Sequence, residues 1–255
     1  MTSSYQTIII EQVDKVGVLR FNRPDQLNAM NRLMMDEIIA GIESINKDPH
    51  LRVGVLTGNG RAFMAGADIK EYAQQTPEQF QAFQKQGEQL YASLEYASKP
   101  WIAAINGFAL GGGFEIPLAC DLILASDQAK MGLPEVFLNL IPGGGGTQRL
   151  IQKIGINRVK EMLFTGGQYD AQTLFNWGLV NRVFEASNFE EASLAFAAKL
   201  TRRPPEAISQ LKRLAHLSLS AQSFEQRIME EGKTVAELFY SESAQKAIQK
   251  FIDKN

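Results

Sequence analysis

Two glutamates stand in unusually apolar stretches of the sequence, and their side chains are the first candidates for chemistry. Glu115 follows a glycine-rich turn in GGGFEIPLAC, and Glu135 lies in GLPEVFLNL. A carboxylate is costly to bury unless it has partners or a function. Burial can push the pKa values of two carboxyls apart, so that one serves as base while the other serves as acid. A surface position or a salt bridge is the alternative interpretation for each glutamate taken separately.

Two turns can bring backbone N–H groups close to a ligand. The strand-like run WIAAI at 101–105 leads into NGFALGGGFE, where glycines at 111–113 permit a sharp turn before a helix. The run VGVLTG at 53–58 leads in the same way into GRAFMAGADIKE, with Gly66 and Ala67 at the turn. Two N–H groups that converge on one carbonyl oxygen form an oxyanion hole. Tight helix–strand packing or an ordinary loop is the alternative interpretation of these turns.

The elements that must position these turns alternate between strand and helix. Runs of β-branched residues predict a hairpin from residues 7–13 and 16–21, and apolar residues at helical spacing predict a helix over residues 29–46. Further short buried strands are predicted at 53–58, 101–105 and 121–126. Strands that alternate with helices indicate an α/β core.

The end of the sequence has a different character. After about residue 187 helical patterns follow one another without a strand, at 189–200, 206–219, 224–240 and 244–251. We therefore predict an α/β core in residues 1–187 and a helical region in residues 188–255.

Composition and charge exclude several classes of protein. The formal net charge is −2, which gives no overall basic field for a nucleic acid. Polar and helix-breaking residues within 101–126 argue against a membrane span, and the opening segment matches neither a signal nor a transit peptide, so we expect a cytoplasmic protein. Cys120 is the single cysteine, which excludes an internal disulfide. One cysteine and two histidines are too few for a typical four-ligand zinc site, so we expect no bound metal.

Several segments together resemble one enzyme family. The strings AFMAGADIKE, NGFALGGGFE, GLPE and IPGGGGTQRL, in this order and spacing, are similar to the signature segments of the enoyl-CoA hydratase/isomerase (crotonase) family. FNRPDQLNAM and the ending FIDK extend the resemblance over essentially the whole chain. It implies a crotonase fold, a spiral of repeated ββα units, with residues 188–255 as a helical assembly region. It also implies a homo-oligomer, either a trimer or a hexamer made of two trimers.

The resemblance further implies an acyl-CoA site. A bent CoA thioester would direct its carbonyl at the backbone N–H groups of Ala67 and Gly112, while Glu115 and Glu135 would be the two catalytic acids. Besides the two amide positions, the implied substrate-binding residues are Ala65, Asp68, Ile69, Lys70, Gly143 and Lys254. Gly143 resembles a position that helps to hold the reacting water, and Lys254 a lysine that meets the ribose phosphate of CoA, often from a neighbouring subunit. Coenzyme A is then part of the substrate, and no separate cofactor is implied.

The presence of both acids favours one activity within the family. Many relatives that only move a double bond, or that perform other thioester chemistry, lack the first acid, so we expect hydration of trans-2-enoyl-CoA to 3-hydroxyacyl-CoA. Fatty-acid β-oxidation is the expected pathway, with aromatic degradation or another pathway as the alternatives. Double-bond isomerisation is the alternative activity. The non-enzymatic alternative is an RNA-binding relative, for which the candidate basic residues are Arg202, Arg203, Lys212 and Arg213.

Overall fold

The computed structural model describes residues 5–253, which divide into two compact units between Arg202 and Arg203. Within this described part, the strands of the first unit are β1 Ile8–Val13, β2 Val16–Phe21, β3 Val53–Gly58, β4 Ala62–Met64, β5 Trp101–Ile105, β6 Phe108–Leu110, β7 Leu122–Ser126, β8 Lys130–Gly132, β9 Gln168–Asp170 and β10 Arg182–Phe184. Its helices are α1 Arg32–Lys47, α2 Ile69–Tyr72, α3 Pro77–Glu95, α4 Gly112–Ala119, α5 Gly146–Ile154, α6 Ile156–Thr165, α7 Ala171–Asn176 and α8 Phe189–Leu200. Short 3-10 helices lie at Pro24–Gln26, Glu135–Leu138 and Ala186–Asn188.

The strands of the first unit form two sheets that share a repeating connection. One sheet has the order β1-β2-β3-β5-β7-β10 and the other the order β4-β6-β8-β9. Three successive pairs, β3–β4, β5–β6 and β7–β8, place their first strand in the larger sheet and their second in the smaller one, and helices follow each pair. The predicted α/β fold of repeated ββα units is therefore confirmed. Because β4, β6 and β8 are parallel neighbours, their carboxyl ends meet at one edge of the smaller sheet.

The central strands of the larger sheet are buried on both faces, as their apolar sequences require. Every residue of β3 and β5 is buried. On one face, α1 contributes Met34, Ile38 and Ile42, each 0% exposed, in the pattern that its helical spacing predicts. On the other face, Phe189 and Ala197 of α8 pack with apolar side chains of the sheet.

Helix α8 packs with the first compact unit, although the sequence assigns it to the C-terminal helical region. The sequence places the boundary between residues 187 and 188, whereas the compact units divide after α8, between Arg202 and Arg203. The reason is that α8 is apolar toward the sheet and completes its core. The helical character of the region is confirmed, and its role in assembly stays a prediction.

The second unit consists of helices over its described length. These are α9 Pro205–Leu217, α10 Phe224–Phe239 and α11 Glu242–Ile252. The Arg213 guanidinium on α9 donates to Glu230 at 2.9 Å and to Thr234 at 2.7 Å on α10, which ties these two helices together. None of the helices in residues 5–253 has the length and apolar character that crossing a bilayer requires.

Candidate active site

A cavity of about 540 Å³ lies at the carboxyl ends of β4, β6 and β8. The turns that follow these three strands all contribute to its wall, and so does the glycine-rich segment at 142–144. Apolar side chains from α1 and α3 complete the wall. Cavities of this size, largely apolar with a few polar groups, are typical of small-molecule sites. The fold thus gathers residues that are far apart in the sequence around one volume.

The turn after β4 leaves one backbone N–H group unpaired in the wall of this cavity. The carbonyl of Gly66 accepts from the Met30 amide at 2.8 Å, and the Asp68 amide donates to the Met30 carbonyl at 2.9 Å. This parallel bridge pairs the residues on either side of Ala67 and leaves the Ala67 N–H without an acceptor within residues 5–253. Ala67 lines the cavity.

The turn after β6 supplies a second N–H group. Gly111 has φ +54°, a backbone conformation that favours glycine, and its amide donates to the Gly132 carbonyl at 2.9 Å. A side chain here would strain the backbone and displace the Glu135 carboxyl, because a Cβ on Gly111 would lie 2.9 Å from Glu135 Oε1; it would also lie 3.9 Å from the Gly66 Cα. The N–H of Gly112, which begins α4, has no acceptor in the described part of the chain. The two amide turns therefore adjoin, as an oxyanion hole requires.

Glu115 lies in the first turn of α4 and is 2% exposed. Its carboxylate accepts from the Gly144 amide, at 2.8 Å to Oε1 and 2.9 Å to Oε2, and from the Gly146 amide at 2.7 Å to Oε1. Burial raises the pKa of Glu115, whereas the two backbone donors and the charge of Arg149 act in the opposite direction. These donors favour the charged form, so Glu115 is a buried acid that the protein equips to hold a negative charge.

Glu135 begins the 3-10 helix after β8 and is half-buried. Its Oε2 atom is shielded from solvent and has no hydrogen-bond partner among the described residues. The pKa of Glu135 is raised to about 7, chiefly by burial and also by the negative charge of Glu115, against the lowering effect of its own backbone N–H. Near neutral pH this carboxyl therefore holds a proton far more readily than an ordinary glutamate does.

Comparison with known proteins fits this geometry. The family model described as Enoyl-CoA hydratase/isomerase matches residues 11–255. The chain belongs to the enoyl-CoA hydratase/isomerase family. It is 36% identical over 248 residues to the short-chain-enoyl-CoA hydratase of Clostridium acetobutylicum, covering 97% of this chain and 95% of the relative. It is 40% identical over 183 residues to the crotonyl-CoA hydratase of Syntrophomonas wolfei, covering 71% and 70% of the two chains.

Solved structures agree with the family assignment. The crystal structure of an enoyl-CoA hydratase from Bacillus anthracis superposes with a TM-score of 0.93 at 33% identity, over 98% of this chain and 97% of that one. The predicted membership of the hydratase/isomerase family is therefore confirmed.

Only some of the substrate-binding residues predicted for this family member line the cavity. Ala65, Ile69 and Gly143 line the cavity together with the two amide positions and both acids. Asp68 and Lys70 do not line it. Asp68 instead caps α2 and pairs with Arg23 at 3.0 Å, so its side chain has a local structural explanation. Lys254 lies outside the described residues.

Sequence reasoning missed the residues that hold the first acid of this hydratase/isomerase site. The run Gly143 to Gly146 was a visible signal of close backbone approach, because a Cβ on Gly146 would lie 2.9 Å from Glu115 Oε1. Arg149 carried no comparable signal. Its guanidinium donates to both carboxylate oxygens of Glu95, at 2.6 and 2.8 Å, and also to the Gly144 carbonyl. Arg149 therefore braces the turn whose amides hold Glu115.

Proposed function

We propose that this family member is an enoyl-CoA hydratase, which adds water across the double bond of a trans-2-enoyl-CoA to give a 3-hydroxyacyl-CoA. The observation that carries the proposal is that two unpaired amides and two carboxyls with different environments face one cavity. An isomerase needs the two amides and a single acid, whereas hydration uses both carboxyls, each for one proton transfer. The hydratase names of the relatives from Clostridium acetobutylicum and Syntrophomonas wolfei support the same choice.

The amides supply the electrophilic half of the proposed reaction. The thioester carbonyl of the substrate accepts hydrogen bonds from the Ala67 and Gly112 N–H groups. These donors stabilise the negative charge that the oxygen gains in an enolate-like transition state, and they withdraw electron density from the β carbon. Loss of one such donor typically slows a reaction by about 100- to 1000-fold. The bare backbone at Gly111 and Gly112 allows the thioester to approach.

The two acids supply the proton transfers. Glu115 accepts a proton from the water as its oxygen bonds to the β carbon, and Glu135 gives its proton to the α carbon. Both acids line the same cavity, so both additions occur on one face of the substrate, which is syn addition. Gly143, the position that resembles a water-holding one, lines the same volume. The pair begins with its one proton on Glu135 and ends with it on Glu115, so no net proton is consumed and no cofactor takes part.

The test uses purified protein and crotonyl-CoA. We expect the absorbance of the conjugated thioester to fall and 3-hydroxybutyryl-CoA to form. The isomerase alternative is tested with 3-hexenoyl-CoA, which an isomerase converts to the conjugated 2-enoyl thioester. Turnover of 3-hexenoyl-CoA without hydration of crotonyl-CoA would reject the proposal.

We propose further that the protein is a cytoplasmic homo-oligomer, a trimer or a hexamer of two trimers, which acts in fatty-acid β-oxidation and assembles through residues 188–255. Support comes from large apolar side chains exposed on α10, among them Phe224, Met229 and Val235. Such surfaces are typical of interaction sites. Light scattering on the full chain should give three or six times the 28.3 kDa mass of one copy. A monomer at micromolar concentration would contradict this.

A further inference from the structure

One polar group in the cavity wall has no part in the proposed proton transfers or in the oxyanion hole. Tyr91 lies on α3 and is 5% exposed, and its hydroxyl makes no hydrogen bond to another residue within 5–253. The hydroxyl would lie 2.3 Å from a Cβ on Gly144 and 3.8 Å from a Cβ on Gly112. It therefore lies beside the turn that holds Glu115, on the side that faces the amide turn. Tyr91 itself lines the cavity.

The position of this hydroxyl is fixed by the packing of its ring. The Arg149 guanidinium lies 5.3 Å from the centre of the Tyr91 ring, in a cation–π contact, and is itself held by two hydrogen bonds to Glu95. Tyr91 also belongs to the main apolar core of the first unit. A hydroxyl on a ring held in this way points to one place, as a group that orients a reactant must.

The hydroxyl also has a defined hydrogen-bonding role. Burial raises the pKa of Tyr91 well above its ordinary value, and the charges of Glu115 and Glu135 act in the same direction. Tyr91 therefore keeps its proton throughout the pH range in which glutamates titrate, and it can donate a hydrogen bond. Because Tyr91 lines the cavity, its hydroxyl is available to donate to an oxygen of a molecule bound there.

We propose that the Tyr91 hydroxyl donates a hydrogen bond to the oxygen that adds to the β carbon, first as water and then as the 3-hydroxyl group of the product. The inference rests on the proposed hydratase function. The thioester oxygen already has the donors Ala67 and Gly112, and Tyr91 lies closer to the turn that holds Glu115. A water that donates its hydrogens to the two acids has two lone pairs left. If one lone pair of the water oxygen accepts a hydrogen bond from Tyr91, the other lone pair is directed at the β carbon.

The kinetic test is Tyr91→Phe, which keeps the ring and its packing and removes only the hydroxyl. We expect kcat for crotonyl-CoA hydration to fall by about 10- to 100-fold, with KM changed by less than about threefold, because the contact strengthens as the oxygen reacts. Tyr96→Phe is the matched control, since Tyr96 caps the same helix and is 81% exposed. A Tyr91→Phe enzyme with kcat within twofold of the parent would overturn the proposal.

A binding test separates direct contact from an effect on structure. In the Glu135→Gln background, which suppresses turnover, calorimetry would compare 3-hydroxybutyryl-CoA with butyryl-CoA, which lacks the hydroxyl. Adding Tyr91→Phe should weaken binding of 3-hydroxybutyryl-CoA by about three- to tenfold and leave butyryl-CoA binding unchanged. Equal weakening of both ligands, or of neither, would overturn the proposal. Failure of the hydratase function itself is distinct, because the parent enzyme would then not turn over crotonyl-CoA.

Discussion

The two acids of the cavity are the same residue type in opposite surroundings. Glu115 is almost completely buried, but backbone amides at Gly144 and Gly146 and the nearby charge of Arg149 support its charged form. Glu135 is more exposed, yet its Oε2 atom has no partner among the described residues and its pKa is raised to about 7. If burial alone decided, the more buried Glu115 would hold the proton, whereas the proton is assigned to Glu135. The supply of hydrogen-bond donors decides where the proton resides.

The largest expected effect comes from removing either acid. We expect Glu115→Gln and Glu135→Gln each to lower kcat for crotonyl-CoA hydration by about 1000-fold, because each loses a proton transfer that is worth about 100- to 10,000-fold. Steady-state kinetics measures the loss, and circular dichroism checks that both variants stay folded. Near-normal turnover by either variant would show that the assigned residue has no catalytic role.

The next effect is a pH dependence. The pair must hold one proton, and the pKa of about 7 at Glu135 means that this proton is lost as the pH rises through neutrality. We expect kcat/KM to fall above about pH 7, approaching tenfold per pH unit. Because hydration consumes no net proton, kcat/KM for the dehydration of 3-hydroxybutyryl-CoA must show the same pH dependence. A kcat/KM that stays flat from pH 6 to 9 would contradict the assignment of the proton to Glu135.

Sequence patterns predicted the larger sheet better than the smaller one. The runs at 16–21, 53–58 and 101–105 are long, β-branched or apolar, and each is a strand in the structure. The strands β4, β6 and β8 have three residues each, too short to show any periodicity, and they were missed. Yet these short strands position the amide turns and Glu135. The parts of the fold that place the chemistry were therefore the least visible in the sequence.

The candidate site shows a similar division. Glu115 and Glu135 stood out because carboxyls are rare in apolar runs, and the resemblance to the family supplied the amide positions. The partners that distinguish the two acids could not be predicted, since Gly144 meets Glu115 only through the folding of a distant turn. For the same reason nothing in the sequence singles out Tyr91 or Arg149.

A smaller effect tests the brace behind Glu115. Arg149→Met should lower kcat by about tenfold, because it removes the donor to the Gly144 carbonyl, the pair with Glu95 and a charge that favours the anionic form of Glu115. Arg158→Met is a matched control, since Arg158 also lies over an aromatic ring, that of Trp177 at 5.4 Å. Kinetics at several pH values would compare the two variants. Equal activity of both would show that Glu115 needs no brace from Arg149.

The smallest effect is on stability, and it tests Glu135 without any substrate. A folded-state pKa of about 7, above the ordinary value of 4.5, means that the folded protein binds the proton more tightly than the unfolded chain does. The stabilisation is complete below about pH 4 and is lost as the pH rises through about 7.

Denaturant unfolding at pH 5 and pH 8 measures this directly. Relative to Glu135→Gln, which has no proton to lose, the parent should lose about 2 kcal/mol of unfolding free energy between these pH values. The exposed Glu88→Gln variant is the control and should follow the parent. If parent and Glu135→Gln changed in parallel, the contrast between the two acids would not extend to the free protein, and the proton on Glu135 would have to be a consequence of substrate binding.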